Sequence, residues 1–394
     1  MAVVTATPLP PLASASYGRA MTDSRSPAYA RLTIDTAALV ANWRLCGQQR
    51  PQAECGAVVK ADGYGLGIEN IVPALSKAGC RTFFVAQIGE AEFVRSLDRQ
   101  ATIYVLCGLV PGRGDDYARY DLRPVLGSLE EMREWSAFCA STGWQGGAAL
   151  HVDTGMSRLG LRTEQAQALA AEHDLFRPSL LMSHLACADV TGHPLNARQF
   201  AAFQSVRKLY PDVPASLCNS YGVFHPADIG YDVLRPGVAL YGSNPAPDKP
   251  NPMKSVVTLE AQVLQVRAVM PGEHVGYGAT WTTRTPARIA VVGIGYADGY
   301  LRSGSSSDDF DSAIAYVGGQ YCLVAGRISM DMTAIDVTAL PEDAVKRGDW
   351  VELIGPHLPV DEVARRAGTI SYEILTSLGA RYERHLANKE ALHV

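Results

Sequence analysis

From residue 29 onward, short apolar runs alternate with stretches that carry hydrophobic residues at helical spacing. The runs are CGAVVK (55–60), TFFVA (82–86), TIYVL (102–106), RPVL (123–126), GAALHVD (147–153), SLLMSHL (179–185), PASLCNS (214–220) and DVLRP (232–236). Each reads as a strand. Between them, Ser128 and Glu131 have the spacing of a capping box ahead of Leu129, Met132, Trp135 and Cys139. Phe200, Phe203 and Val206 make a helical stripe of the kind that packs a core. Ahead of the first run, ARLTID reads as a strand, and Asp35 as the cap of a helix whose Leu39, Trp43 and Cys46 share one face.

Eight strand-then-helix units fit a (β/α)8 TIM-like barrel, an architecture of about 250 residues. A doubly wound sheet shares the same alternation. From about residue 255 the period becomes two, in SVVTLEAQVLQVRAV, ARIAVVGIGY, SAIAYVGGQYCLVAGRIS, MTAIDVT and DWVELIG. Gly318-Gly319 reads as a hairpin turn, and a short helix is expected around Ser371 to Leu378. The expected fold is therefore α/β, with a barrel over 29–254 and a mostly-β domain over 255–394. The first strand, about 29–35, is free to pair with the β domain. Residues 1–28 are rich in Ala, Ser, Thr and Pro, with no basic start and no apolar core. They read as a disordered tail and not as a secretory signal.

The chain has 394 residues, 47% of them hydrophobic and 19% charged, the composition of a soluble globular protein. A net charge of −5 argues against a dedicated nucleic-acid binder. No apolar run is long enough to span a bilayer. Eight scattered cysteines, none in a C-x-x-C pair, suit reduced thiols in a cytoplasmic protein. Phosphate-loop, dinucleotide, serine-hydrolase and zinc signatures are all missing, and no metal is expected.

Polar residues collect at the C-terminal ends of the expected strands. Lys60 ends the first, Asp153 the fifth with Arg158 just beyond, His184 the sixth, Asn219 and Ser220 the seventh, and Arg235 the eighth. In a barrel those ends form one mouth, where active sites sit. A lone lysine after a strand is a solvated boundary residue in most proteins; five such groups on one rim point to chemistry. A lysine among apolar residues loses basicity and becomes an amine nucleophile toward carbonyls, pyridoxal phosphate among them. Ser220 and the backbone near Gly237 lie where barrels hold phosphate. A Schiff-base lysine with a phosphate anchor follows from these residues; the reaction does not.

Several segments resemble one family. AVVKADGYGLG (57–67) is similar to the lysine motif of alanine racemases and HVDTGMSRLG (151–160) to their arginine motif. SHLACAD (183–189), Asn219-Ser220 and LRPGVALYG (234–242) follow in order, then VGYGATW (275–281), GIGYADGY (293–300), GRISMD (326–331) and SYE (371–373). The resemblance runs from about residue 29 to about 385. Each motif alone is weak; their joint order across two domains is specific.

The resemblance implies pyridoxal 5'-phosphate held on Lys60, and interconversion of L- and D-alanine by two bases on opposite faces of Cα, Lys60 and Tyr277. Both side chains start near pKa 10, and the expected cause of their lowering is positive charge from Arg235 and the cofactor. Arg235 would face the pyridine nitrogen and leave it unprotonated, and His184 would lie between Arg235 and Tyr277. Arg158 would meet the cofactor phenolate or the substrate carboxylate. Tyr64, Asn219, Ser220, Gly237, Val238 and Tyr372 would hold the cofactor. Met330, Asp331 and Tyr296 would line the substrate pocket. On their own, Tyr277 and Tyr296 read as strand aromatics, Met330 as core and Asp331 as a turn cap.

A homodimer with shared active sites is implied too, with the tyrosine base and the Met-Asp pair reaching in from the partner. The expected ligand is a small amino acid, with no nucleic acid and no membrane, and the product D-alanine would serve peptidoglycan synthesis or alanine catabolism. The chain departs from the family pattern at His151, where many relatives carry a lysine, sometimes carbamylated. It also has Asp62, Gly63 and Leu66 in place of the common asparagine, alanine and histidine. The competing readings are a serine or broad-specificity racemase of the same architecture, a barrel-type decarboxylase and a non-catalytic pyridoxal-phosphate carrier. Decarboxylases usually pair the ring nitrogen with a glutamate, against Arg235, and carriers resemble the barrel alone, against Tyr277.

Overall fold

A computed structural model of the protein describes residues 28–171, 177–227, 229–310 and 313–387. The expectation of a disordered tail falls, apart from residue 28, outside the described residues.

The eight expected barrel strands are present. The first runs through Glu54–Cys55 and Ala57–Val58; the rest are Thr82–Val85, Thr102–Val105, Arg123–Leu126, Ala149–Asp153, Leu180–Met182, Ala215–Ser216 and Val233–Leu234. All pair in parallel with their sequence neighbours up to the seventh. The eighth joins the seventh through Asp232 N–H to Ala215 O (2.9 Å) and Arg235 N–H to Cys218 O (3.0 Å). It joins the first through Gly56 N–H to Leu234 O and Val58 N–H to Pro236 O, both 3.0 Å. These bonds close the sheet, which settles the barrel over the doubly wound alternative. Apolar strand residues such as Phe83, Phe84, Ile103, Leu150 and Leu181 are fully buried, as strands covered on both faces require.

Helix ends follow their caps. Asp35 accepts from Ala38 N–H at 2.9 Å and starts the helix Thr36–Gln49, which buries Leu39 and Cys46. Ser128 caps Leu129–Thr142 by accepting from Glu131 N–H at 3.1 Å. The return arm differs from the expected box. Glu131 accepts from Gly127 N–H (2.8 Å) and Leu109 N–H (3.0 Å), so it also ties in the loop after another strand.

The second domain is built on the 13-residue strand Val257–Val269, paired antiparallel with Ala287–Val292 and Trp350–Ile354. The first strand, Ala30–Ile34, lies in this sheet, antiparallel to residues 257–261 and parallel to Glu383–Leu386. Gly318 and Gly319, with φ of 59° and 82°, turn the hairpin Ile314–Val317 to Gln320–Leu323; positive φ at both positions is what a type I′ turn demands. The expected helix near the end spans Ser371–Ser377, and a further helix, Val360–Arg366, precedes it. No helix among the described residues is long and apolar enough to cross a membrane. All eight cysteines are free thiols.

Candidate active site

The strand ends enclose a cavity of about 310 Å³ at the barrel mouth, lined by Lys60, His151, Arg158, His184, Ser220 and Arg235 among others. Tyr64, Asn219, Gly237 and Tyr372 also reach it. Val238 is buried beside Gly237. No carboxylate lines the cavity among the described residues.

Lys60 leaves the first strand just after Val59, whose N–H bonds Phe84 O at 2.9 Å. The chain then turns left-handed. Ala61, Asp62, Gly63 and Tyr64 have φ of 53°, 55°, 61° and 57°, closed by Gly63 N–H to Val59 O (2.9 Å) and Gly65 N–H to Ala61 O (2.8 Å). Three of the four are not glycine, and each such residue costs about 1–2 kcal/mol. Strain of this kind persists only where surrounding contacts hold it. The turn buries Tyr64, stacked on Tyr241 at 4.4 Å between ring centroids, with its hydroxyl against Gly237. Burial pushes the Tyr64 phenol well above its ordinary pKa.

Ser220 opens a short helical turn, Ser220–Val223, capped by Asn219, whose side chain accepts from Gly222 N–H at 3.0 Å. The buried Ser220 Oγ accepts from Gly237 N–H (2.9 Å) and Ala239 N–H (3.2 Å). Hydroxyl and backbone donors thus converge where the seventh and eighth strands end. Tyr372 approaches from the helix Ser371–Ser377, its ring 5.9 Å from that of Tyr64. Asp361 holds that helix to the barrel: its carboxylate accepts from Ser371 Oγ, Ser243 Oγ (2.5 Å) and Asn244 N–H (2.8 Å).

The other end of the cavity is cationic. Arg235 is buried, donating through Nη1 to Ser216 Oγ and through Nη2 to Ser183 O at 2.6 Å. Burial brings its pKa down to about 10, so it stays charged at neutral pH. His151 falls to about 4, through burial and then the charges of Arg235 and Arg158. His184 is held well below its ordinary value by burial, Arg235 and Arg158. Both imidazoles are neutral at pH 7. The Lys60 amine is lowered by burial first, as its apolar surroundings predict, and by Arg158 second, where the expected protein cation was Arg235. Asp153 accepts from the N–H groups of Gly155, Met156 and Ser157 at 2.9–3.1 Å, shaping the loop that carries Arg158.

Four of the site residues read from the sequence lie elsewhere on the chain. Tyr277 sits on the turn Tyr277–Ala279 and is 69% exposed; Tyr296 and Met330 are 41% and 53% exposed. Tyr296 and Met330 adjoin, through Tyr296 N–H to Ser329 O and Ala297 N–H to Met330 O, both 3.0 Å. Arg381 bridges the exposed Asp331 and the buried Asp298 at 2.8 Å each. None of the four lines the cavity that holds Lys60. The roles of Asp361 and Arg381 had no sequence signal beyond an acidic helix start and an isolated basic residue.

The cavity suits an aldehyde-bearing phosphate ester. It offers an amine with no hydrogen-bond partner among the described residues, a serine flanked by backbone donors, and a cationic far end. Comparison with known proteins agrees. The family model for the N-terminal domain of alanine racemase matches residues 34–245, and that for the C-terminal domain residues 256–386. An alanine racemase of Methylobacterium nodulans is 52% identical over 365 residues, 92% of this chain and 97% of that one. Among solved structures, the Bartonella henselae alanine racemase with covalently bound pyridoxal phosphate superposes with a TM-score of 0.86 at 41% identity, over 91% of this chain and all of that one. The biosynthetic alanine racemase of Pseudomonas aeruginosa gives 0.84 at 37% identity, over 92% of this chain and all of that one.

Proposed function

The chain belongs to the alanine racemase family of pyridoxal-phosphate-dependent enzymes, and on that premise we propose that it interconverts L- and D-alanine with Lys60 and Tyr277 as its two bases. The observation that carries this reading is the placement of Lys60 at a closed barrel mouth beside Ser220, Arg158 and Arg235. Bound there, pyridoxal phosphate supplies the electron sink that makes Cα–H acidic.

The protein's own residues do the rest. Lys60 holds the cofactor and, once substrate displaces it, moves a proton on one face of Cα; its lowered basicity suits that task near neutral pH. Ser220, Tyr64, Tyr372 and the backbone at Gly237 and Val238 hold the phosphate, with Asn219 fixing the Ser220 turn. Arg158 meets the substrate carboxylate or the cofactor phenolate. Arg235 faces the ring nitrogen as a charged donor and leaves that nitrogen no proton to hold, which limits competing reactions. Neutral His184 stands between Arg235 and the second base.

A single chain leaves this cavity without its second base, because Tyr277 is exposed on the β domain. We assign Tyr277, Tyr296, Met330 and Asp331 to the site of a partner subunit in a homodimer. In this division the barrel, to about residue 254, binds cofactor together with Tyr372 of the same chain, and Tyr277, Tyr296, Met330 and Asp331 of the domain from 255 complete the partner's site. Free thiols throughout favour a reducing cytoplasm, where D-alanine serves peptidoglycan or alanine catabolism.

The test is incubation of the cofactor-loaded protein with mixed L-amino acids in D₂O, followed by chiral chromatography and mass spectrometry. Dominant D-alanine carrying deuterium at Cα is expected. Another D-amino acid would move the substrate; amine products or no turnover would overturn the reading.

A further inference from the structure

Glu90 is a buried carboxylate that does not line the cavity. It lies in the first turn of the helix Ile88–Leu97. Its Oε1 accepts from Ala61 N–H at 2.7 Å. Its Oε2 accepts from Ala86 N–H at 2.8 Å and from Gln87 N–H at 3.2 Å. Ala61 directly follows Lys60, and Ala86 directly follows the strand Thr82–Val85. One carboxylate therefore joins the ends of two neighbouring barrel strands at the point where the first delivers Lys60.

The geometry suits a charge. All three partners are backbone donors, and hydrogen bonds to an ionised acceptor are about twice as strong as neutral ones. The shortest of the three bonds is that from Ala61, which opens the left-handed turn at φ 53°. Among the described residues, the titratable groups that act on the Lys60 amine are Arg158, Cys107, Glu90 and His184. Arg158 opposes its protonation, whereas Glu90 and Cys107 favour it.

We propose that Glu90 is a positioning residue for Lys60, pinning the backbone from which the amine projects and setting a buried negative charge within its electrostatic reach. The backbone tether fixes where the amine enters the mouth. The charge keeps the amine basic enough to return a proton as well as take one. The inference rests on Lys60 being the cofactor-bearing base.

The experiment follows capture of pyridoxal phosphate by the full-length apoprotein, by absorbance, across pH 6–10. Only the unprotonated amine reacts, so the midpoint of the capture rate reports its basicity. Removing the negative charge makes the ammonium less favourable, and Glu90→Gln should move the midpoint to lower pH by about half a unit or more. Glu90→Asp keeps the charge and shortens the tether; its midpoint should stay while capture slows and kcat falls at unchanged KM. An unmoved midpoint in Glu90→Gln overturns the electrostatic role. Should that variant not fold, wild-type capture and kcat in Glu90→Asp overturn the proposal instead. Borohydride reduction and peptide mapping of the wild type keep the two readings apart, because a label absent from Lys60 sinks the lysine assignment and not Glu90 alone.

Discussion

The backbone of Gly237 passes so close to Tyr64 that a Cβ at residue 237 would lie 2.3 Å from the tyrosine hydroxyl and 3.1 Å from its ring. Tyr64 has nowhere to retreat, since it is buried and stacked on Tyr241. The same glycine donates its N–H to Ser220 Oγ. Both partners belong to the proposed phosphate cradle, so their spacing decides whether it forms. Gly237→Ala is expected to weaken cofactor affinity by about tenfold or more, since about 1.4 kcal/mol is enough for that. Equilibrium dialysis against pyridoxal phosphate measures it. Adding Gly237→Ala to Tyr64→Phe should cost much less than Gly237→Ala costs alone, because the atom it strikes first has gone. Equal costs in the two backgrounds would refute the clash.

His151 predicts a pH dependence of stability. Its folded pKa of about 4 lies below the ordinary 6.5 because burial and two arginines disfavour the charged ring. Above pH 6.5 both folded and unfolded chains leave it neutral, and the contribution is fully present. As pH falls from 6.5 toward 4 the unfolded chain takes up a proton that the folded chain refuses, and stability is lost. The ceiling on that loss is about 3 kcal/mol. Urea midpoints of the apoprotein at pH 7.5 and pH 5 should therefore differ less in His151→Gln than in the wild type. His184, depressed for similar reasons, keeps the variant's own dependence from vanishing. An identical difference in both proteins would remove His151 from the account.

The barrel and most of its mouth were legible in the sequence because both follow from local pattern. Each strand is a short apolar run, and Lys60, Arg158, His184, Ser220 and Arg235 stand at or just beyond strand ends, which a barrel gathers whatever its details. What stayed hidden depends on contacts between distant segments. Glu90 reads as an ordinary acidic residue in a first helical turn, and its partner Ala61 lies 29 positions earlier. The left-handed turn after Lys60 has only Gly63 to announce it; Ala61, Asp62 and Tyr64 adopt it against their own preference. Asp361 binds Ser243, 118 positions away. Apolar surroundings around Lys60 are legible in the sequence and burial is the main cause of its lowered basicity, but the cation that adds to it is Arg158 and not the expected Arg235, a choice that rests on the folded loop after Asp153. Ala30–Ile34 is visible as a strand, yet its neighbours at 257–261 and 383–386 are set by the folded second domain.

The separation of Lys60 from Tyr277 yields the sharpest test of a shared site. Lys60 lines the barrel cavity, while Tyr277 is exposed and belongs to none of that cavity's walls. If each site takes its lysine from one subunit and its tyrosine from the other, Lys60→Ala and Tyr277→Phe homodimers each lack one base at both sites. A mixed dimer is different. The Tyr277→Phe subunit supplies an intact Lys60, the Lys60→Ala subunit supplies an intact Tyr277, and these meet at one of the two sites. With free exchange about half the dimers are mixed, so activity should return to about one quarter of wild type. The measurement is racemase activity after the two inactive proteins are mixed under mild dissociating conditions and reassociated. Recovery that grows with exchange time supports the shared site. No recovery, with mixed dimers demonstrated by mass spectrometry, would place both bases in one chain and refute the assignment of Tyr277 to the partner.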